Sequence, residues 1–293
     1  EGKNPKEMYE ALAIEDVQAA ADLLARSSDR ATGEAGFVSL EVDPRVSFDV
    51  EATISEAKRL WHALDRKNVM IKIPGTHEGV RALSTLIADG VNINVTLLFG
   101  VPRYRSVAEA YLTGLEHRQA RGLPISHVRS VASFFLSRID TMVDEMLEAR
   151  GAAARELRGK AAIASAEAAY RVLSEVLDGP RYTALQNHAA RPQRLLWAST
   201  STKNPNYAEL KYVEPLIGPN TVTTLTPKTL AAYRKQGDPA AMLGHGGTGQ
   251  VFSRLLDQGV DIHDVANRLE REGITKFERP LAELLDWLRS SKA

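Results

Sequence analysis

Cysteine is absent from all 293 residues, which excludes disulfides, thiolate zinc sites, iron–sulfur ligation and cysteine nucleophiles. The seven histidines are scattered without metal-ligand spacing, so no metal is expected. No apolar run approaches the roughly 20 residues of a membrane-spanning helix, and the uncharged, mostly apolar stretch 90–102 is interrupted by Asn92 and Asn94. A secretory signal pattern is also missing. Charge of one sign is lacking too: 37 basic residues balance 37 acidic ones with no local basic patch, which argues against nucleic-acid partners. What remains is 44% hydrophobic and 25% charged, a composition that can bury a sizeable core. The expectation is a cytoplasmic protein acting on small molecules. Linkers rich in Pro, Ser or charge are absent, as are internal repeats, so residues 1–293 are read as one domain.

The chain opens with helices. Asn4, Pro5 and Glu7 fit the N-cap, first and third positions of a helix, and a second amphipathic segment covers 14–26. Short β-type runs at 37–42, 69–73, 92–99, 128–135, 195–199 and 221–225 then alternate with helical patterns at 51–65, 77–88, 104–120, 140–150, 156–177 and 228–235. Six β-then-α units imply a parallel sheet. Two closing helices are expected at 261–272 and 279–290.

A doubly wound sheet, buried on both faces, has strands that read as continuous apolar runs. Here they alternate. Val38, Leu40 and Val42 share one face of the first run, opposite Ser39, Glu41 and Asp43; Val69, Ile71 and Ile73 lie opposite Lys72; and Asn92, Asn94 and Thr96 alternate with apolar residues in the third. Three consecutive parallel strands with an aliphatic face and a polar face suit a closed (β/α) barrel with a site in its C-terminal mouth. The alternative is a strand edge facing solvent.

Lys72 stands out because lysine is unexpected in the apolar run Val69-Met70-Ile71-Lys72-Ile73-Pro74. Desolvation inside a barrel disfavours an ammonium, and a neutral amine that meets a ketone or aldehyde forms a Schiff base, an electron sink that needs no cofactor. A lysine that snorkels from an edge strand is the competing reading. Glu41, Asn94 and Thr96 share the inner face: a carboxylate can move protons, a threonine can hold a water and an asparagine can bond a substrate hydroxyl, or the three can simply fill the barrel as a polar layer. The pattern at Asp43-Pro44 is that of an N-cap followed by a proline, a structural reading. Arg138 falls where a strand passes into a helix N-terminus, a setting that favours anions; the alternative is a surface arginine in a helical salt bridge. The stretch Gly244-His245-Gly246-Gly247-Thr248-Gly249 imitates a phosphate loop but follows no strand, so it is read as a connection.

The segments FVSLEVDPRVSFD (37–49), VMIKIPGT (69–76), NINVTLLF (92–99), SVASFFLSRID (130–140) and LWASTSTKNP (196–205) closely resemble transaldolases of the bacterial type, in order and over essentially the whole chain. The resemblance implies a TIM-type (β/α)8 barrel that forms a Schiff base without cofactor. It would move a dihydroxyacetone unit from a ketose phosphate, such as fructose 6-phosphate or sedoheptulose 7-phosphate, to an aldose phosphate in the pentose phosphate pathway. By this resemblance Lys72 is the Schiff-base lysine, Glu41 and Thr96 position the catalytic water, and Asn94 contacts the donor. Ser133 and Arg138 bind substrate, Phe135 walls the pocket, and in the run Ser199 to Lys203, where the family has an arginine, Lys203 is the substitute cation. A related Schiff-base aldolase and a non-catalytic sugar-phosphate-binding barrel are the alternatives, and a monomer or homodimer is expected. Only six strands are visible where the family has eight. The expectation is therefore that the first two, with the family's general acid/base aspartate and an Asn-Pro motif, lie upstream of residue 1.

Overall fold

A computed structural model describes residues 4–30, 35–240, 242–243 and 249–290. Helix α1 (Pro5–Arg30) precedes six strands, β1 (Val38–Glu41), β2 (Val69–Pro74), β3 (Ile93–Leu98), β4 (Ser130–Phe135), β5 (Arg194–Ala198) and β6 (Thr221–Thr223). Between and after the strands run α2 (Val50–Leu64), α3 (His77–Ala88), α4 (Val101–Ala120), α5 (Ser137–Glu148), α6 (Ala152–Arg155), α7 (Ala161–Asp178), α8 (Pro180–Gln186), α9 (Pro227–Gln236), α10 (Gly249–Asp257) and α11 (Ile262–Ser290). All six strands pair in parallel and in chain order, β1 to β6. A doubly wound sheet would reverse its strand order; an unbroken progression is that of a barrel wall. Among the described residues β1 and β6 are each paired on one side only.

Local chemistry sets the element ends. Asn4 and Glu7 form a reciprocal capping box, each side chain accepting from the other's backbone N–H at 2.8 and 3.0 Å. Asp49 caps α2 through the Ala52 N–H, and Thr76 caps α3 through the Gly79 N–H at 2.9 Å while its own hydroxyl donates to the Ser47 carbonyl at 2.6 Å. The polar alternation has the expected outcome for packing. Ile71, Ile73, Ile93 and Val95 are fully buried in the core, which α3 and α4 cover.

α4 and α5 each begin three residues earlier than expected, α8 and α10 fall where no helix is expected, and three further differences have a local cause. The two N-terminal segments are one continuous α1, since no glycine or proline stands between them. The two closing helices likewise fuse into α11, which passes through Gly273 where that residue lies against Leu97 and Phe99, and retains Pro280 within it. The segment expected at 156–177 instead breaks before α7, because Gly159 adopts φ +70°. Of the glycine-rich stretch 244–249, only Gly249 lies within the described residues. No helix among the described residues is long and apolar enough to cross a membrane.

Candidate active site

Register brings the inner-face residues together. Glu41 on β1 is the partner of Lys72 on β2, and Lys72 in turn is the partner of Asn94 on β3, so three functional groups stand in a row across the wall. The Lys72 Nζ donates to Glu41 Oε2 at 3.1 Å, and both side chains are roughly three-quarters covered. Burial raises the Glu41 carboxyl above the ordinary carboxylate range, against the lowering pull of the Lys72 ammonium. A group sequence reasoning missed lies over this pair: the ring of Phe277, from the long α11, is 5.4 Å from Lys72 Nζ.

Thr96 sits one pleat beyond Asn94. Its hydroxyl is fully buried and has no hydrogen-bond partner among the described residues. Directly after it the β3–β4 register shifts between Val95 and Leu98, and Leu97 takes a left-handed φ of 59°. Such bulges bend a strand and re-aim its neighbours, and they concentrate beside active sites. Asn94 spans the interior, donating to Ser39 Oγ at 3.1 Å and accepting from Ser133 Oγ at 2.7 Å. Asn94 and Ser133, each expected to face substrate, are thus also bonded to one another.

The opposite wall is built by β4, β5 and the helix that follows β4. Phe135 ends β4, lies 5.3 Å from the Phe99 ring, and carries the Arg138 guanidinium 5.4 Å above its own. Arg138 is the second residue of α5, whose N-terminus has no side-chain cap. Its Nη1 is buried without a partner among the described residues, and burial lowers its pKa; a cation in that state calls for an anion. Ser199 closes the wall in a left-handed conformation (φ 55°), its hydroxyl 2.8 Å from that of Ser137 and its carbonyl accepting from the Ser137 N–H.

Glu41, Lys72, Asn94, Thr96, Ser133, Phe135, Arg138, Ser199 and Lys203 all line one cavity of about 740 Å³, a size that suits a small phosphorylated substrate. Ser39, Thr224 and Thr226 add polar wall that was not singled out in the sequence. Asp43 shares the alternation of Glu41 but, as expected of an N-cap before a proline, does not line the cavity. β1 has ended, and Asp43 caps a 3-10 turn (Pro44–Val46), bonding Arg45 and, at 3.2 Å, Lys6. Although burial acts to raise it, the hydrogen bonds from Arg45 and Lys6 hold its carboxyl at about 2. Bonded in this way and outside the cavity lining, Asp43 has a structural role. His77 is solvent-exposed at the start of α3, as a lone loop histidine usually is.

The lysine–glutamate pair inside a parallel barrel wall, sharing its cavity with Arg138, coincides with what comparison finds. The family model described as Transaldolase/Fructose-6-phosphate aldolase matches residues 1–288. The chain belongs to the transaldolase family. A transaldolase of Thiobacillus denitrificans is 48% identical over 283 residues, 94% of this chain and 78% of that one. Those of Saccharopolyspora erythraea and Mycolicibacterium smegmatis are both 46% identical, over 95% and 93% of this chain and 76% and 74% of theirs. The family fold is a TIM barrel, which the six-stranded parallel sheet matches, and the chain is accordingly an enzyme of the transaldolase kind.

Proposed function

We propose that the cavity performs transaldol transfer, with Lys72 as nucleophile. The Lys72 amine attacks the ketone carbon of a ketose phosphate, and Glu41, 3.1 Å from that nitrogen, takes its proton and returns one to the departing hydroxyl. Loss of water leaves an imine. The unpartnered hydroxyl of Thr96 supports a role in holding that water beside Glu41. Cleavage of the bond between the third and fourth carbons sends its electrons into the imine, leaving a three-carbon enamine on Lys72 and releasing an aldose phosphate. The enamine then adds to the aldehyde of an acceptor, and water frees the product.

Asn94 and Ser133 would bond donor hydroxyls, Phe135 would wall the pocket, and Arg138, Ser199 and Lys203 would take the phosphate. The observation that carries the reading is the Lys72–Glu41 pair lining the same cavity as a half-buried Arg138 whose buried Nη1 has no partner among the described residues. Among the described residues Glu41 is the carboxylate on that lining. We propose further that two more strands complete the barrel between the unpaired edges of β1 and β6, and that a second carboxylate comes with them to deprotonate the fourth-carbon hydroxyl. A cytoplasmic monomer or homodimer acting on sugar phosphates alone fits this reading.

A coupled assay with fructose 6-phosphate, with and without an acceptor aldose phosphate, tests it on the protein with all eight strands present. Turnover that requires the acceptor and is lost in Lys72→Arg is the expected result; turnover without acceptor would make the chain an aldolase, and ligand binding with no turnover would make it a sugar-phosphate-binding barrel.

A further inference from the structure

Lys203 is the cation of the cavity with the least support of its own. It is exposed, and it belongs to a segment, residues 199–213, that forms neither helix nor strand. One end of this segment is tied to β6 and α9: the Thr200 hydroxyl donates to the Thr224 carbonyl, and Ser201 Oγ lies 3.2 Å from the hydroxyls of Thr226 and Thr229. Its far side is tied to α5. Asp140 and Asp144, one turn apart on that helix, are 1% and 8% exposed. Asp140 accepts from the Tyr212 hydroxyl and from the Ala162 N–H, both at 2.8 Å. Asp144 accepts from the Tyr207 hydroxyl and from the Gly159 N–H. Lys211 joins the two halves. Its ammonium bonds the Gly159 carbonyl, lies 3.8 Å from Asp140 Oδ2, and stands 4.7 and 5.4 Å from the rings of Tyr207 and Tyr212.

Two buried carboxylates are costly to keep unless their partners hold them in one geometry. The helix that bears them also presents Arg138 in its first turn. Lys203 therefore sits between two anchorages, and one of them is the element that carries the other cation of the cavity.

We propose that the Asp140–Tyr212 and Asp144–Tyr207 pairs are positioning residues for phosphate recognition: they lock segment 199–213 to α5 and so fix Lys203 relative to Arg138 at the rim of the cavity they share. The inference rests on the reading of Arg138 and Lys203 as the phosphate cations. It accounts for two acids on the buried side of α5 that the chemistry at Lys72 does not use.

The test is borohydride trapping on the full chain, scored as the fructose 6-phosphate concentration that half-saturates adduct formation, with dihydroxyacetone as the unphosphorylated control. Tyr207→Phe and Tyr212→Phe each remove one hydroxyl and leave the ring in place. Each should raise the half-saturating fructose 6-phosphate concentration about three- to tenfold, leaving maximal trapping and trapping by dihydroxyacetone unchanged. In a Lys203→Ala background Tyr207→Phe should add nothing further, because it acts through Lys203. Equal losses with both substrates, or full additivity with Lys203→Ala, would show a merely structural contact and overturn the proposal. An effect of Lys203→Ala with none from either tyrosine variant overturns the clamp alone. No effect of Lys203→Ala overturns the phosphate reading of that lysine and the clamp with it, and no adduct at all overturns both through the catalytic reading.

Discussion

Removing the Arg138 guanidinium should separate phosphorylated from unphosphorylated substrates. Its Nη1 is buried and unpartnered, and its side chain is held over Phe135 by ring contact alone, so no protein carboxylate competes for its charge among the contacts of the described residues. A charge-assisted hydrogen bond from such a group to a phosphate oxygen is worth about 1.5–3 kcal/mol, which is about ten- to a hundredfold in kcat/KM. Two features of the site place the expectation at the upper end of that range: the contact is partly desolvated, and the uncapped N-terminus of α5 adds its dipole in the same direction. Arg138→Ala should therefore lower kcat/KM for fructose 6-phosphate by close to a hundredfold. The rate of Schiff-base trapping with dihydroxyacetone should change less than about twofold, because Arg138 lies across the cavity from Lys72 and has no role in imine formation. The loss should fall mainly on KM. Equal losses for the two substrates would mean that the guanidinium supports the wall and binds no phosphate, and the assignment would be wrong.

Three further outcomes follow from particular contacts. Glu41→Gln should lower kcat by about 10² to 10⁴; because burial raises the Glu41 carboxyl, the acid limb of the parent's pH–rate profile should lie above the ordinary carboxylate range, and that limb should vanish in the variant. Asp43→Asn should leave trapping at Lys72 intact and cost stability instead. The fall of its carboxyl from 3.8 to about 2 would be worth about 2.5 kcal/mol unscreened, of which the exposure of Arg45 and Lys6 leaves about 1 kcal/mol. A lowered folded-state pKa stabilises above the ordinary value, so the difference between parent and variant in thermal melts should be full at pH 7 and fade as pH falls through about 2. Gly114→Ala should destabilise by about 1–3 kcal/mol in denaturant titration, since a Cβ there would lie 2.6 Å from Ile87 Cβ and 2.7 Å from the Ser84 carbonyl at the α3–α4 contact.

The barrel wall was readable because period-two alternation survives in single strands. Ile71 and Ile73 on one side of β2 and Lys72 on the other state both the core and the site. All six strands occur where alternation and turn residues put them, with ends moved by a residue or two. Pairings made at long range were not readable. Nothing in 137–148 alone shows that Asp140 and Asp144 meet Tyr212 and Tyr207 more than 60 residues later, and the apolar stripe of Ile139, Val143 and Leu147 disguises them as the polar side of an ordinary helix. Phe277 was missed for the same reason. It reaches Lys72 only because α11 continues through Gly273, where a break had been expected. Asp43 shows the limit of alternation itself, which holds within a strand and fails at the residue where the strand stops.

The central claim is that Lys72, and no other lysine, forms the Schiff base. Sodium borohydride added to the protein with fructose 6-phosphate should reduce the Schiff base and fix a substrate adduct on the peptide that contains Lys72, read by peptide mass spectrometry. Lys72→Arg should abolish the adduct, because arginine stays protonated and cannot serve as the amine. An adduct on Lys203 or Lys228, or undiminished labelling in Lys72→Arg, would contradict the account.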